Sequence, residues 1–211
     1  MKKTLTDKFI ILGHKNFFEK DKLVFLYSDE HGKLTAIAKG ARSITSKFTG
    51  HLETLNFCIA NLYFGPKNII LTDIYTDKSH FKNRKCLSTI SHAIRIAEIS
   101  NKIIYENQQI ENLESLISET LKNLKSSGKK SLIFTAYIIK ILDKLGVIPD
   151  FRETKVSLEE KYVKFINFIK EKPFSEIEKI SPTKAEKERI QQIITLLIEK
   201  EIGPTPSLFS F

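Results

Sequence analysis

A change of hydrophobic period near residue 75 constrains this chain more than any other feature. Before it, apolar residues come in short runs separated by turn residues, as in β-strands. After it they recur every three or four positions, as in amphipathic helices. In the first part KFIILGH (residues 8–14), KLVFLYS (22–28), KLTAIA (33–38), HLETLNFCIANLYF (51–64) and NIILTDIY (68–75) read as five strands. Asp29-Glu30-His31-Gly32 and Gly65-Pro66-Lys67-Asn68 supply tight turns between them. Five short antiparallel strands in a unit of this size close most simply as a small barrel, of which the OB-fold is the commonest nucleic-acid binder.

The second part reads as helices. Residues 80–105 carry apolar groups at 87, 90, 94 and 97, and residues 111–125 carry Leu113, Leu116, Ile117, Leu121 and Leu124. SLIFTAYIIKILDKLG (131–146) is apolar nearly all round, which places it in the middle of a bundle, with Gly146 and Pro149 to stop it. Ser157-Leu158-Glu159-Glu160 has capping-box form ahead of a further helix. Residues 175–180 suggest a short turn, and Ser181-Pro182 reads as N-cap and first position of a last helix, stopped by Gly203-Pro204. The expected fold is α+β: a five-stranded OB-fold barrel over residues 1–78, followed by an all-α domain over residues 79–211.

The chain of 211 residues is long enough for a sizeable core, and its 28% charged residues fit a soluble globular protein. A net charge of +9 and a pI near 9.4 make a polyanion a reasonable partner. Cys58 and Cys86 form no C-x-x-C pair, so neither a disulfide framework nor a zinc ribbon is read from them. The apolar run FIIL after the first lysines is too short for a signal peptide, and no stretch is long enough to span a bilayer. A cytoplasmic protein is expected.

The sharpest local signal is the acid-free segment 39–47, which leaves the third strand with Lys39, Arg42 and Lys47 among Gly40, Ser43, Thr45 and Ser46. Cations, hydroxyls and an exposed glycine backbone suit phosphate oxygens, and such contacts give affinity without sequence preference. Tyr27, Phe48, Tyr63 or Phe64 would be placed to stack on bases. Lys20, Lys22 and Lys67 would extend the patch if the fold gathers them, although Glu19 and Asp21 dilute the first two. An ordinary solvated loop accounts for the same residues. Among the helices, Lys129, Lys130, Lys140 and Lys144 surround the most apolar one; a groove there would suit a peptide with acidic and aromatic ends, although core packing explains the apolar residues more simply. No nucleotide-binding glycine pattern, nucleophile elbow or His-based metal motif occurs, and the helical carboxylates alternate with lysines. An enzyme is disfavoured, and no cofactor is expected.

The order of these pieces resembles the N-terminal region of the RecO family of bacterial recombination mediators. The likeness rests on Asp21, His31-Gly32-Lys33, Ala38-Lys39-Gly40-Ala41-Arg42, Lys47, Gly50 and Leu52-Glu53, and on LGVIPDF (145–151), similar to the family's LGYAPDL. It runs from about residue 5 to about residue 151. The resemblance implies non-catalytic work in DNA repair, DNA damage response and recombination, in a cytoplasmic and nucleoid-associated setting. It implies binding of single- and double-stranded DNA, strand annealing, contact with the acidic C-terminal tail of single-strand-binding protein, and loading of the RecA recombinase together with RecR. On it Lys33, Lys39, Arg42 and Lys47 carry over as DNA contacts. One departure stands out: many relatives place four zinc-binding cysteines after the LGYAPDL-like stretch, and residues 149–160 hold none. A version without the zinc module is expected. The alternative is an OB-fold protein-interaction module without direct DNA binding.

Overall fold

The computed structural model describes residues 3–79, 86–149, 151 and 159–203. Its elements are β1 (Thr4–Phe17), β2 (Asp21–Ser28), β3 (Gly32–Ala38), β4 (Asn56–Phe64), β5 (Ile69–Ser79), α1 (Leu87–Ile103), α2 (Leu113–Ser126), α3 (Lys130–Lys144), α4 (Glu160–Glu171), α5 (Phe174–Ile177) and α6 (Lys184–Ile202). The strands close a barrel in the order β1-β2-β3-β5-β4. All neighbours are antiparallel except β3 and β5, which run parallel over Ala36↔Ile69 and Ile37↔Ile70. A closed five-stranded ring with this crossover is the OB-fold arrangement.

Period-two alternation decides which side chains fill the barrel. Phe9, Ile11, Val24, Leu26, Leu34, Ala36, Cys58, Ala60, Leu62 and Leu71 form its interior. A register shift between Ile11 and Gly13 bends β1, after which His14 and Asn16 stand opposite Val24 and Lys22. Ile10 and Leu12 lie outside that interior yet are buried, because α1 packs against β1. The compact unit that contains the barrel therefore spans Met1–Glu114 and takes in α1, beyond the boundary at residue 78 read from the sequence.

The second unit, Ser115–Phe211, is built around α3, whose Leu132, Phe134, Tyr137, Ile138, Ile141 and Leu142 are all buried. Helices α4, α5 and α6 pack on it, so α3 holds the central place that its all-round apolar sequence implies. Gly146, with φ +71°, follows its end. The start of α6 differs from expectation: Thr183, not Ser181, is the N-cap, because Thr183 and Glu186 close a reciprocal capping box. Helix α4 starts at Glu160 with Glu159 as N-cap. Ser157, the cap expected from sequence, lies outside the described residues, as do Asp150, most of residues 149–160, where the absent zinc module is expected to leave no ligands, and Pro204. No helix among the described residues is long and apolar enough to cross a membrane.

Candidate nucleic-acid interface

The outer face of β2 and β3 is the surface on which OB-folds take oligonucleotides, and here it is divided in two. Since Val24 and Leu26 point into the barrel, Leu23, Phe25 and Tyr27 alternate outward. Tyr27 is fully buried: its hydroxyl donates to the Ile110 carbonyl (2.9 Å) and accepts from the Ile110 N–H (2.8 Å). Next to it Lys33 is 9% exposed, and its ammonium donates to the main-chain oxygens of Asn101 (2.5 Å) and Ile104 (2.9 Å). Those carbonyls end α1, so Lys33 serves as its C-terminal cap, where a cation also meets the helix dipole favourably. Burial holds its pKa below the ordinary lysine range, with Glu106 opposing. Segment 104–110 completes the clasp through the Asn107 N–H to the Lys33 carbonyl and through Thr35 to Glu106.

The His31-Gly32-Lys33 motif is thus architectural. His31 lies 3.4 Å from Asp7. Gly32 has φ +67°, and a Cβ there would stand 2.6 Å from the Gln108 carbonyl oxygen, a space only glycine allows. Two expectations are corrected here: Lys33 is not presented to a phosphate backbone, and Tyr27 has no face to offer a base.

The other half of the face is open. Leu23 and Phe25 are half-buried, and the Lys15 ammonium lies 5.9 Å from the Phe25 ring centroid. Neither Lys15 nor Phe25 stands out in the sequence; period-two alternation through KLVFLYS, extended across the hairpin to its paired strand, carries both. The hairpin linking β1 and β2 is tied to the segment after β3. The Gly40 N–H donates to Asp21 (2.8 Å), the Arg42 N–H to the Lys20 carbonyl (3.0 Å), and the Arg42 guanidinium to the Phe18 carbonyl (3.0 Å). Asp21 and Lys39-Gly40-Ala41-Arg42 therefore fasten two loops into one ridge that carries exposed Lys20, Lys39 and Arg42.

Segment 39–55 folds over the barrel mouth and is anchored by buried Ala41, Phe48, Leu52 and Leu55. Phe48 is part of the barrel core, which removes it as a stacking platform. Between this segment and the β1–β2 rim lies a groove of about 550 Å³, bordered by His14, Asn16, Lys22, Arg42 and Glu53. Burial, then the Lys22 charge, hold His14 below its ordinary pKa, with Glu53 opposing. Lys47 leans the other way, 3.9 Å from Asp73 and over the Phe48 ring. Lys67 sits in the β4–β5 turn, beside the start of β1 and away from the groove.

The helical lysines occupy different roles from the slot expected of them. The Lys129 ammonium donates to the Glu178 and Ile180 carbonyls and to the Ser181 hydroxyl, each at 2.8 Å. Lys130 donates to the Ser127 carbonyl, and Lys140 to that of Lys170. Lys144 is exposed on the last turn of α3. Among the described residues, a groove of this unit lies between α4 and α6, about 440 Å³, with Phe165, Phe168 and Ile190 among its apolar residues and Lys161, Lys164 and Glu186 on its border.

A closed barrel with the β1-β2-β3-β5-β4 order, followed by a helical unit, defines an α+β protein of the OB-fold class. Residues 1–69 match the family model described as Recombination protein O N terminal. Over these residues the chain is similar to the RecO family. It is 32% identical over 161 residues to the DNA repair protein RecO of Thermoanaerobacter sp. (strain X514), covering 75% of this chain and 64% of that one. The DNA repair protein RecO of Caldanaerobacter subterraneus subsp. tengcongensis is 26% identical over 219 residues, 88% of each chain. That of Myxococcus xanthus is 31% identical over 150 residues, 69% of this chain and 60% of its own. The chain thus spans slightly less than two thirds of the Thermoanaerobacter and Myxococcus proteins.

Proposed function

We propose that this chain is a DNA-binding recombination mediator in DNA repair, without catalytic activity of its own. It binds single- and double-stranded DNA, anneals complementary strands and, with RecR, helps load the RecA recombinase. The observation that carries this reading is the open half of the β2–β3 face, where Phe25 lies beside Lys15 on the strand pair whose hairpin end carries the Lys20–Lys39–Arg42 ridge. An aromatic ring takes a base by stacking, and cations around it take the phosphates on either side. Lys22, at the groove, adds to the same end of the barrel, with Lys47 and Lys67 as outlying contacts.

Annealing follows from electrostatics. Two strands brought to one basic surface repel each other less, since the phosphates nearest the protein are neutralised, and their bases then pair. In the helical unit the acidic tail of single-strand-binding protein is assigned to the α4–α6 groove, whose apolar wall and lysine border match an aromatic, acidic peptide end.

A fluorescence-anisotropy titration with a labelled oligonucleotide tests the reading. Affinity should fall steeply as salt rises, by roughly 0.7 powers of concentration per single-strand phosphate neutralised. Lys39→Ala/Arg42→Ala/Lys47→Ala should weaken binding and flatten that slope, by roughly 0.7 for each phosphate no longer neutralised. Affinity that stays constant from low to physiological salt, or a triple variant that binds as the wild type does, refutes it in favour of an interaction module.

A further inference from the structure

We propose that the groove at the barrel mouth receives one unstacked base of a bound strand, separated from its neighbours by the side chains of Phe18 and Ile44. This rests on the DNA-binding reading and assigns a specific event to it.

Two side chains stand out on the ridge. Ile44 is 98% exposed and Phe18 is 77% exposed, far more than apolar groups of their size usually are. Phe18 also holds φ +51° at the tip of the β1–β2 hairpin, a left-handed conformation that glycine or asparagine adopts with less steric cost. An aromatic kept exposed in a strained backbone marks a position held for something other than folding. Arg42 links the two, since its guanidinium bonds the Phe18 carbonyl while its own chain continues through Ser43 to Ile44 on the groove wall. Apolar side chains presented beside cations are the means by which many proteins part adjacent bases.

The groove supplies the destination. Its volume of about 550 Å³ lies within the range of small-ligand sites, roughly 300–1,000 Å³. Phe48 and Leu52, both anchored in the barrel core, close the bottom of the groove with apolar atoms and keep water from it. Asn16 offers both a donor and an acceptor, and Glu53 an acceptor, to the hydrogen-bonding edge of the base. Lys22 and Arg42 stand at the border for the attached phosphate. Extruding a base costs least from a strand that is already single, which is the substrate the annealing reaction presents.

The test uses an oligonucleotide carrying one 2-aminopurine, whose emission rises when the base is unstacked, with anisotropy read on the same sample. Binding of the wild-type protein should raise emission, as for a base taken out of the stack. Phe18→Asn/Ile44→Ala should abolish that rise while affinity changes less than about threefold, because the phosphate contacts remain. Asparagine tolerates the left-handed backbone, so loss of fold does not confound the result; Thr49→Trp, which fills the groove from its edge, should abolish the rise as well. Binding seen by anisotropy with no change in emission overturns the inference and leaves DNA binding standing. A rise that persists in the double variant overturns it too. No anisotropy change in the wild type removes the DNA-binding reading and this inference together.

Discussion

The Lys33 ammonium on β3 donates to the Ile104 carbonyl, just past the end of α1, at 2.9 Å. A residue that reads from sequence as a DNA contact thus joins helix to barrel. Lys33→Met keeps the aliphatic stem and removes the donor, leaving the Asn101 and Ile104 carbonyls without it. Loss of about 1–3 kcal/mol of stability is expected, the cost of stranding partly buried polar groups, measurable as a shift of the urea midpoint. The salt slope of oligonucleotide binding should be unchanged in this variant, whereas Arg42→Gln should lower it by roughly 0.7, one single-strand phosphate. A Lys33→Met protein that unfolds like wild type but binds DNA with a reduced slope would reverse the assignment.

Tyr27 fastens the same clasp from β2, its hydroxyl both donating to and accepting from Ile110. Tyr27→Phe removes one atom, adds no cavity of consequence, and leaves the buried Ile110 N–H without its acceptor, while the Ile110 carbonyl keeps only the Leu113 N–H. Destabilisation of about 1–3 kcal/mol is expected. Burial first, with Asp29 and Glu114 contributing, raises the phenol pKa above its usual 10.0. A raised acid pKa means the folded state keeps its proton while the unfolded chain releases it. Stability from this group is therefore present below pH 10 and lost above it. The alkaline decline of the unfolding midpoint should be shallower in Tyr27→Phe.

These two clasps show where sequence reading ends. The barrel is legible because alternation in short runs is a local signal, and α3 because an all-apolar helix has one home. Lys33 misleads because its partners lie 68 and 71 residues away, and a capping lysine has the same local appearance as a phosphate-binding one. Phe48 misleads for a similar reason: an aromatic that anchors a polar loop to a core resembles one that awaits a base. Lys129 and Lys140 follow the same course, both consumed by distant main-chain carbonyls. At the start of α6 two cap signals compete, and Thr183 with Glu186 satisfies more main-chain groups than Ser181-Pro182 does.

Gly32 and Gly40 have nearly the same backbone, φ +67° and +68°, but different surroundings. A Cβ at Gly40 meets nothing within 4 Å, whereas at Gly32 it lies 2.6 Å from the Gln108 carbonyl oxygen. Gly40→Ala should cost about 1–2 kcal/mol, the left-handed penalty alone. Gly32→Ala carries the same penalty and must also displace segment 107–108, so its loss of stability should be at least twice as large. Paired urea denaturation of the two variants measures the difference directly. Equal losses would mean that the clasp yields without resistance and that the glycine in His31-Gly32-Lys33 is there for backbone conformation only.

His14 gives the groove a pH signature. Burial and then the Lys22 ammonium lower its pKa from 6.5, while Glu53 acts in the opposite sense. A base with a lowered folded pKa takes up its proton more readily in the unfolded chain. The neutral ring's contribution is therefore intact above pH 6.5 and is lost as pH falls through the window between 6.5 and the lower folded value. The unfolding midpoint of the wild type should decline across that window, and His14→Asn should decline less. Glu114, whose carboxyl is raised chiefly by burial, titrates in both proteins and cancels in the comparison. Lys22→Met should narrow the difference, since the second-largest cause of the shift is then gone. Parallel curves for wild type and His14→Asn would show that neither burial nor Lys22, its diagonal neighbour across the β1–β2 pair, perturbs the histidine.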